Sequence, residues 1–128
     1  MKPTIQTKMA FNDNFNIGGN IKYVHPSKQE AIKKILEVIP ETLEELWLFG
    51  SAVTEGCKPT SDIDICLVGN TTHDEEKLIY MTPKCAVDII KETPEGFLEE
   101  QSYKGSIYKQ VQDTGVLIYK KGVGIVND

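Results

Sequence analysis

The 128-residue sequence contains no arginine; all fourteen of its basic side chains are lysines. Every mechanism that needs a bidentate guanidinium fork is therefore excluded from this chain. Phosphate, if bound, must be held by backbone amides, lysine or a metal ion. The lysines are outnumbered by nineteen acidic residues, giving a net charge of -5, so general nucleic-acid binding through bulk charge is not expected. No stretch approaches the roughly 18 apolar residues of a membrane span, and Met1 to Ala10 lacks the apolar core of a secretory signal. A cytoplasmic setting without membrane contact is expected. Only three cysteines are present, Cys57, Cys66 and Cys85, at gaps of nine and nineteen. That spacing fits neither a disulfide framework nor a zinc knuckle and reads as reduced, mostly buried thiols.

With 40% hydrophobic and 26% charged residues, the chain has the composition of one folded domain. Residues 1–22, with Asn12, Asn14, Asn16, Asn20, Gly18 and Gly19, read as an arm or loose hairpin. The domain proper is expected over 23–122, with a tail at 123–128. Ser27 and Glu30 form a candidate capping box for a helix from Lys28 to Ile39, in which Ile32, Ile35, Leu36 and Ile39 recur at helical spacing before Pro40. Strands are predicted at Leu46 to Phe49, Ile63 to Val68, Ala86 to Ile90 and Val116 to Tyr119. A helical turn or two is expected from Ser51 to Glu55. Helices are expected over Pro94 to Gln101 and Ser106 to Thr114. His73 to Tyr80 reads either as a short capped helix or as an extended segment. The fold class that follows is α/β (α+β): a small mixed sheet of four or five strands, helices packed on one face, and the site at the open edge of the sheet.

The chemistry concentrates in LFGSAVTEGCKPTSDIDICLVG, Leu48 to Gly69, where Gly50-Ser51 is followed after ten residues by Asp62-Ile63-Asp64. Alternate strand residues share a face, so Asp62 and Asp64 project together, roughly 6 to 7 Å apart at the backbone, while Ile63 and Ile65 point the other way. Two bare carboxylates at 4 Å repel by about 4 kcal/mol at an effective dielectric near 20, which a divalent cation relieves. An oxygen-only donor set favours Mg²⁺ or Mn²⁺ over zinc. Asp88, on a later strand with Val87 and Ile89 facing away from it, is the candidate third carboxylate. Gly50-Ser51 lies where a buried strand gives way to a helical turn, where free amides, the helix dipole and the Ser51 hydroxyl suit a phosphate. Lys58 is a candidate helper, although a solvated lysine is the plainer reading. His25 and His73 read as surface residues. Leu46, Trp47 and Phe49 read as core, and Tyr103 and Tyr108 as either partner-facing or packed.

This constellation resembles the polymerase-beta-like nucleotidyltransferase superfamily, in particular its minimal nucleotidyltransferases, whose hallmark is G-S, about ten residues, D-x-D and a later third aspartate. The resemblance spans roughly Ile32 to Lys121. It includes the ending VDIIKETPEGFLEEQSYKGSIYKQVQDTGVLIYKKG, with a Pro-Glu helix start, G-S-I-Y and a closing V-L-I-Y strand. The resemblance implies that Gly50 and Ser51 bind the nucleotide, that Asp62, Asp64 and Asp88 are catalytic and bind metal, and that two Mg²⁺ ions, or Mn²⁺, take part. Asp88 would help deprotonate an attacking hydroxyl, with in-line displacement at the alpha-phosphate and pyrophosphate leaving. Lys109 stands where relatives often carry an arginine, and no added helical domain is present to hold an acceptor.

The resemblance therefore implies an enzyme that moves a nucleoside monophosphate, AMP from ATP first among the choices, onto a hydroxyl of a partner protein. In the minimal family that partner is often a helical HEPN-type toxin, with the transferase as its antitoxin. Two alternatives remain: a catalytically silent module that neutralises its partner by complex formation, and an aminoglycoside-like transferase acting on small molecules. An exposed face on Ser106 to Thr114 would permit homo-oligomerisation.

Overall fold

The computed structural model describes residues 19–127. A 3-10 turn, Gly19–Tyr23, leads into helix α1, Pro26–Leu36, and strand β1, Leu43–Phe49. A single 3-10 turn, Gly50–Val53, and a loop connect to β2, Ile63–Gly69, followed by α2, His73–Met81, and β3, Val87–Glu92. Helix α3, Pro94–Glu99, continues as a 3-10 turn, Glu100–Ser102, before α4, Ile107–Thr114, β4, Val116–Lys120, and β5, Gly124–Ile125. The strands form one mixed sheet in the order β3-β2-β1-β4-β5, with β2 and β3 parallel and the other neighbours antiparallel.

Strand alternation divides the core. Ile63, Ile65 and Leu67 of β2 join Leu46 and Leu48 of β1 and Ile118 of β4 on one face, against Ile32 and Ile35 of α1 and Ile79 of α2. Burial of each such side chain contributes about 1.5–3 kcal/mol. Cys66 and Val68 face the opposite way and meet Phe49, Phe97 of α3 and Val111 of α4. The expected covering on one face thus holds for α1 and α2 alone, while α3 and α4 cover part of the other face. The reason lies in Trp47, Phe49, Cys66 and Val68, which make the second face apolar too and require a lid of their own.

Several boundaries differ from the sequence reading for local reasons. Helix α1 begins at Pro26 because His25, not Ser27, is its cap: the His25 ring nitrogen Nδ1 accepts from the Ser27 amide, and proline suits the first helical position. It ends at Leu36, where Glu37 and Val38 donate to Lys34 and Ile35 carbonyls in tightened turns. Strand β1 takes in the acidic Leu43 to Glu45, since Glu44 is exposed while Leu43 is buried. Of the two readings of His73 to Tyr80 the helix holds, as α2, because Thr72 and Glu75 complete a reciprocal capping box. Residues 1–18 of the expected arm lie outside the described residues. Asn20 and Ile21 are buried, with the Asn20 amide donating to Val126 and its side-chain Nδ2 to Leu117. The expected tail contains β5.

Candidate functional site

Three strands deliver the site. Asp64 of β2 stands in register with Phe49 at the end of β1 and with Asp88 near the start of β3. Neighbouring strands run about 4.8 Å apart, so the Asp64 and Asp88 side chains rise side by side from one face. Their carboxyl groups are near enough for Asp88 to raise the Asp64 carboxyl. Ile63 and Ile65 are fully buried on the far face and lock this orientation, because a one-residue slip would drive both aspartates into the core. Asp62, two residues earlier on the same side, is exposed.

Burial first, then the charge and hydrogen bond of Asp88, then the charge of Asp62, raise the Asp64 carboxyl above its usual value of 3.8. A hydrogen bond between two carboxyls requires a proton on one of them. A cation satisfies the same oxygens without that proton. Among the described residues, no three His, Cys, Asp or Glu side chains are gathered closely enough to be a ready-made metal cage. The structure brings Asp64 and Asp88 together and leaves Asp62 beside them, within electrostatic reach of Asp64. The donor set, oxygen alone with accumulated negative charge, fits a hard divalent cation.

Gly50 closes the site from the β1 side. Its φ of 74° lies in the left-handed region, and a side-chain carbon there would collide with the Asp64 carboxylate. Glycine is thus required twice, by backbone conformation and by the approach of the backbone to Asp64. Ser51 follows, half-buried, and its carbonyl accepts from the amide and hydroxyl of Thr54. No hydrogen bond engages the Ser51 hydroxyl among the described residues, so it is available to a ligand. The turn is a four-residue 3-10 turn, Gly50–Val53, where a helical turn or two was expected over Ser51 to Glu55. Phosphate binding at this point rests on amides and a hydroxyl more than on an extended helix dipole.

The loop into β2 contains a feature that sequence reading missed. Ser61 donates its amide to Lys58, and its hydroxyl accepts from the Lys58 amide at 3.0 Å. Pro59 at the second position makes Lys58 to Ser61 a proline-initiated turn that delivers Asp62 directly. The signal, K-P-T-S just before D-x-D, was present in the sequence. Lys58 itself is exposed. Lys109 pairs with Asp113 at 2.9 Å along α4. His25 caps α1 and His73 is exposed. Tyr108 packs edge-on to Phe97 and donates to the Lys91 carbonyl, whereas Tyr103 is exposed. The cysteines are free thiols, with Cys57 and Cys66 buried. Burial, with Glu45 and Glu92 nearby, pushes the Cys66 thiol up to about 12, so it is inert.

Residues 30–122 match the model of the family described as polymerase beta, nucleotidyltransferase. The chain belongs to that family. The matched span contains Gly50, Ser51, Asp62, Asp64 and Asp88, and nucleotidyltransferases of this kind generally use divalent metals. A solved Sulfolobus solfataricus protein assigned as a nucleotidyltransferase is 22% identical, with a TM-score of 0.47, over 98% of this chain and 95% of that one. None of the curated proteins compared with the chain matches it. Among the described residues, no helix is long and apolar enough to cross a membrane.

Proposed function

We propose that this nucleotidyltransferase domain is a metal-dependent enzyme that transfers a nucleoside monophosphate, AMP from ATP first among the choices, to a hydroxyl on a partner protein. The observation that carries the reading is the adjacency of Asp64 and Asp88 across β2 and β3, with Gly50 seated against Asp64. Asp62, Asp64 and Asp88 are the residues that would hold Mg²⁺ or Mn²⁺. When bound, such ions neutralise the negative charge of the triphosphate and the leaving pyrophosphate.

The chain's own residues divide the remaining work. The Gly50 and Ser51 amides and the Ser51 hydroxyl orient the triphosphate from the turn after β1, where the missing side chain of Gly50 lets the phosphates approach the aspartates. In this reading Asp88, which is exposed on the edge strand, accepts the proton of the incoming hydroxyl. The open edge leaves access for an acceptor as large as a protein side chain. A helical HEPN-type partner in a cytoplasmic toxin-antitoxin pair is the acceptor this reading favours, supported by the resemblance of the motif. The test is incubation with alpha-labelled ATP, Mg²⁺ and the candidate partner. Label on the partner is expected with the parent chain and none with Asp62→Asn plus Asp64→Asn. Protection of the partner's host by the double variant equal to that by the parent would favour neutralisation by complex formation instead.

A further inference from the structure

Lys28 is among the most buried side chains of the protein at 1% exposure, in a class of residue that is rarely buried without a partner. It lies in the first turn of α1, whose Ile32 and Ile35 anchor that helix in the main core. Its Nζ reaches 31 residues along the chain and donates to the Pro59 carbonyl at 3.0 Å. Pro59 occupies the corner of the Lys58 to Ser61 turn that delivers Asp62. The same end of α1 makes two further ties: the His25 amide donates to Ala52 at 2.7 Å, and Ser27 Oγ lies 3.8 Å from Cys57 Sγ. One rigid helix end thereby holds both the Gly50–Val53 turn and the loop that leads to the aspartates.

We infer that Lys28 is a positioning residue, whose buried ammonium fixes the Lys58 to Ser61 turn and with it the spacing between the Gly50-Ser51 turn and Asp62. The inference rests on the nucleotidyl-transfer reading only for its consequence on nucleotide binding. A backbone carbonyl held by a cation gives a strong, directional bond, and its anchor is a helix packed into the core rather than a mobile surface group. Without it, Pro59 still favours a bend, but the two amide bonds within the turn lose the anchor that holds them closed and open more often, and the turn loses its place relative to α1. The aspartates would then sample positions around the productive one, which costs a catalytic site far more than it costs the fold.

Amide hydrogen exchange on the full chain, read at Lys58 and Ser61 with Leu48 and Ile65 as core references, tests this directly. Lys28→Met keeps the apolar stem and removes the donor. Lys28→Gln keeps a polar head that is too short to reach, and Lys28→Arg keeps donor and charge. Exchange at Lys58 and Ser61 is expected to accelerate by at least about tenfold in the Met and Gln variants, with the core references unchanged and protection restored in the Arg variant. Should the Met variant fail to fold, the Gln variant decides. Unchanged loop exchange, or acceleration in step with Leu48 and Ile65, overturns the inference. Binding of Mg²⁺-ATP, measured in parallel, is expected to weaken about tenfold in Lys28→Met. If the parent chain binds no Mg²⁺-ATP, the nucleotidyl-transfer reading falls while the exchange result still decides the role of Lys28.

Discussion

Asp64 lies directly opposite Asp88 across the parallel pairing of β2 and β3, on the face where Gly50 is seated against Asp64. Two acids held side by side by sheet register cannot relax apart as flexible surface groups would. The fold therefore maintains a locally unfavourable charge pair, a pattern associated with sites that receive a cation or a proton.

The charge environment of Asp64 makes stability depend on pH. The Asp64 carboxyl is raised in the folded state, so the folded chain holds this proton more tightly than the unfolded one. Stability from this group is greatest at low pH and is lost as pH rises from 3.8 through the raised folded value. Without metal, Asp64→Asn is expected to melt higher than the parent at neutral pH. Thermal melts in chelator should show the difference growing as pH rises above 3.8.

Gly50→Ala tests the close approach. An alanine must adopt a left-handed conformation, at about 1–2 kcal/mol, and push its Cβ against Asp64. Denaturant unfolding should show a loss of about 2 kcal/mol or more. Adding Asp64→Ala removes the obstacle but not the backbone strain, so the double variant should recover part of the loss.

Ser51→Ala separates ligand binding from folding. The hydroxyl engages no partner among the described residues, so stability should stay within about 0.5 kcal/mol of the parent. A lost hydrogen bond to phosphate of about 1 kcal/mol should appear as a several-fold rise in KM for the nucleotide.

Glu75 offers a control away from the site. A 2.6 Å hydrogen bond from Thr42, with the Thr72 amide and hydroxyl side of the capping box, holds its carboxyl below 4.5. Its contribution is present above 4.5 and is lost as pH falls through the lower folded value. Glu75→Gln should therefore destabilise at neutral pH and not in strong acid, with transfer activity unchanged. Thr72→Ala should cost about 1 kcal/mol.

The order of elements and the placement of the aspartates were legible in the sequence because both follow from periodicity. Ile63 and Ile65 could be buried only by turning Asp62 and Asp64 the other way. The second covered face was less legible, since Trp47 and Phe49 in a continuous apolar run do not announce which helices will meet them. Strand β5, only Gly124 and Ile125, is too short to leave a pattern. The Lys28 contact was invisible because it joins residues 31 apart, and nothing in P-S-K-Q-E distinguishes a buried lysine from its solvated neighbours.

The most direct measurement is calorimetric titration of a non-hydrolysable ATP analogue into the parent chain, Asp64→Asn and Asp88→Asn, each with Mg²⁺ and with chelator. The account predicts binding by the parent that requires Mg²⁺ and is weakened at least about a hundredfold by either substitution. Binding that is equal in chelator, or unaffected when both aspartates are replaced, would contradict it.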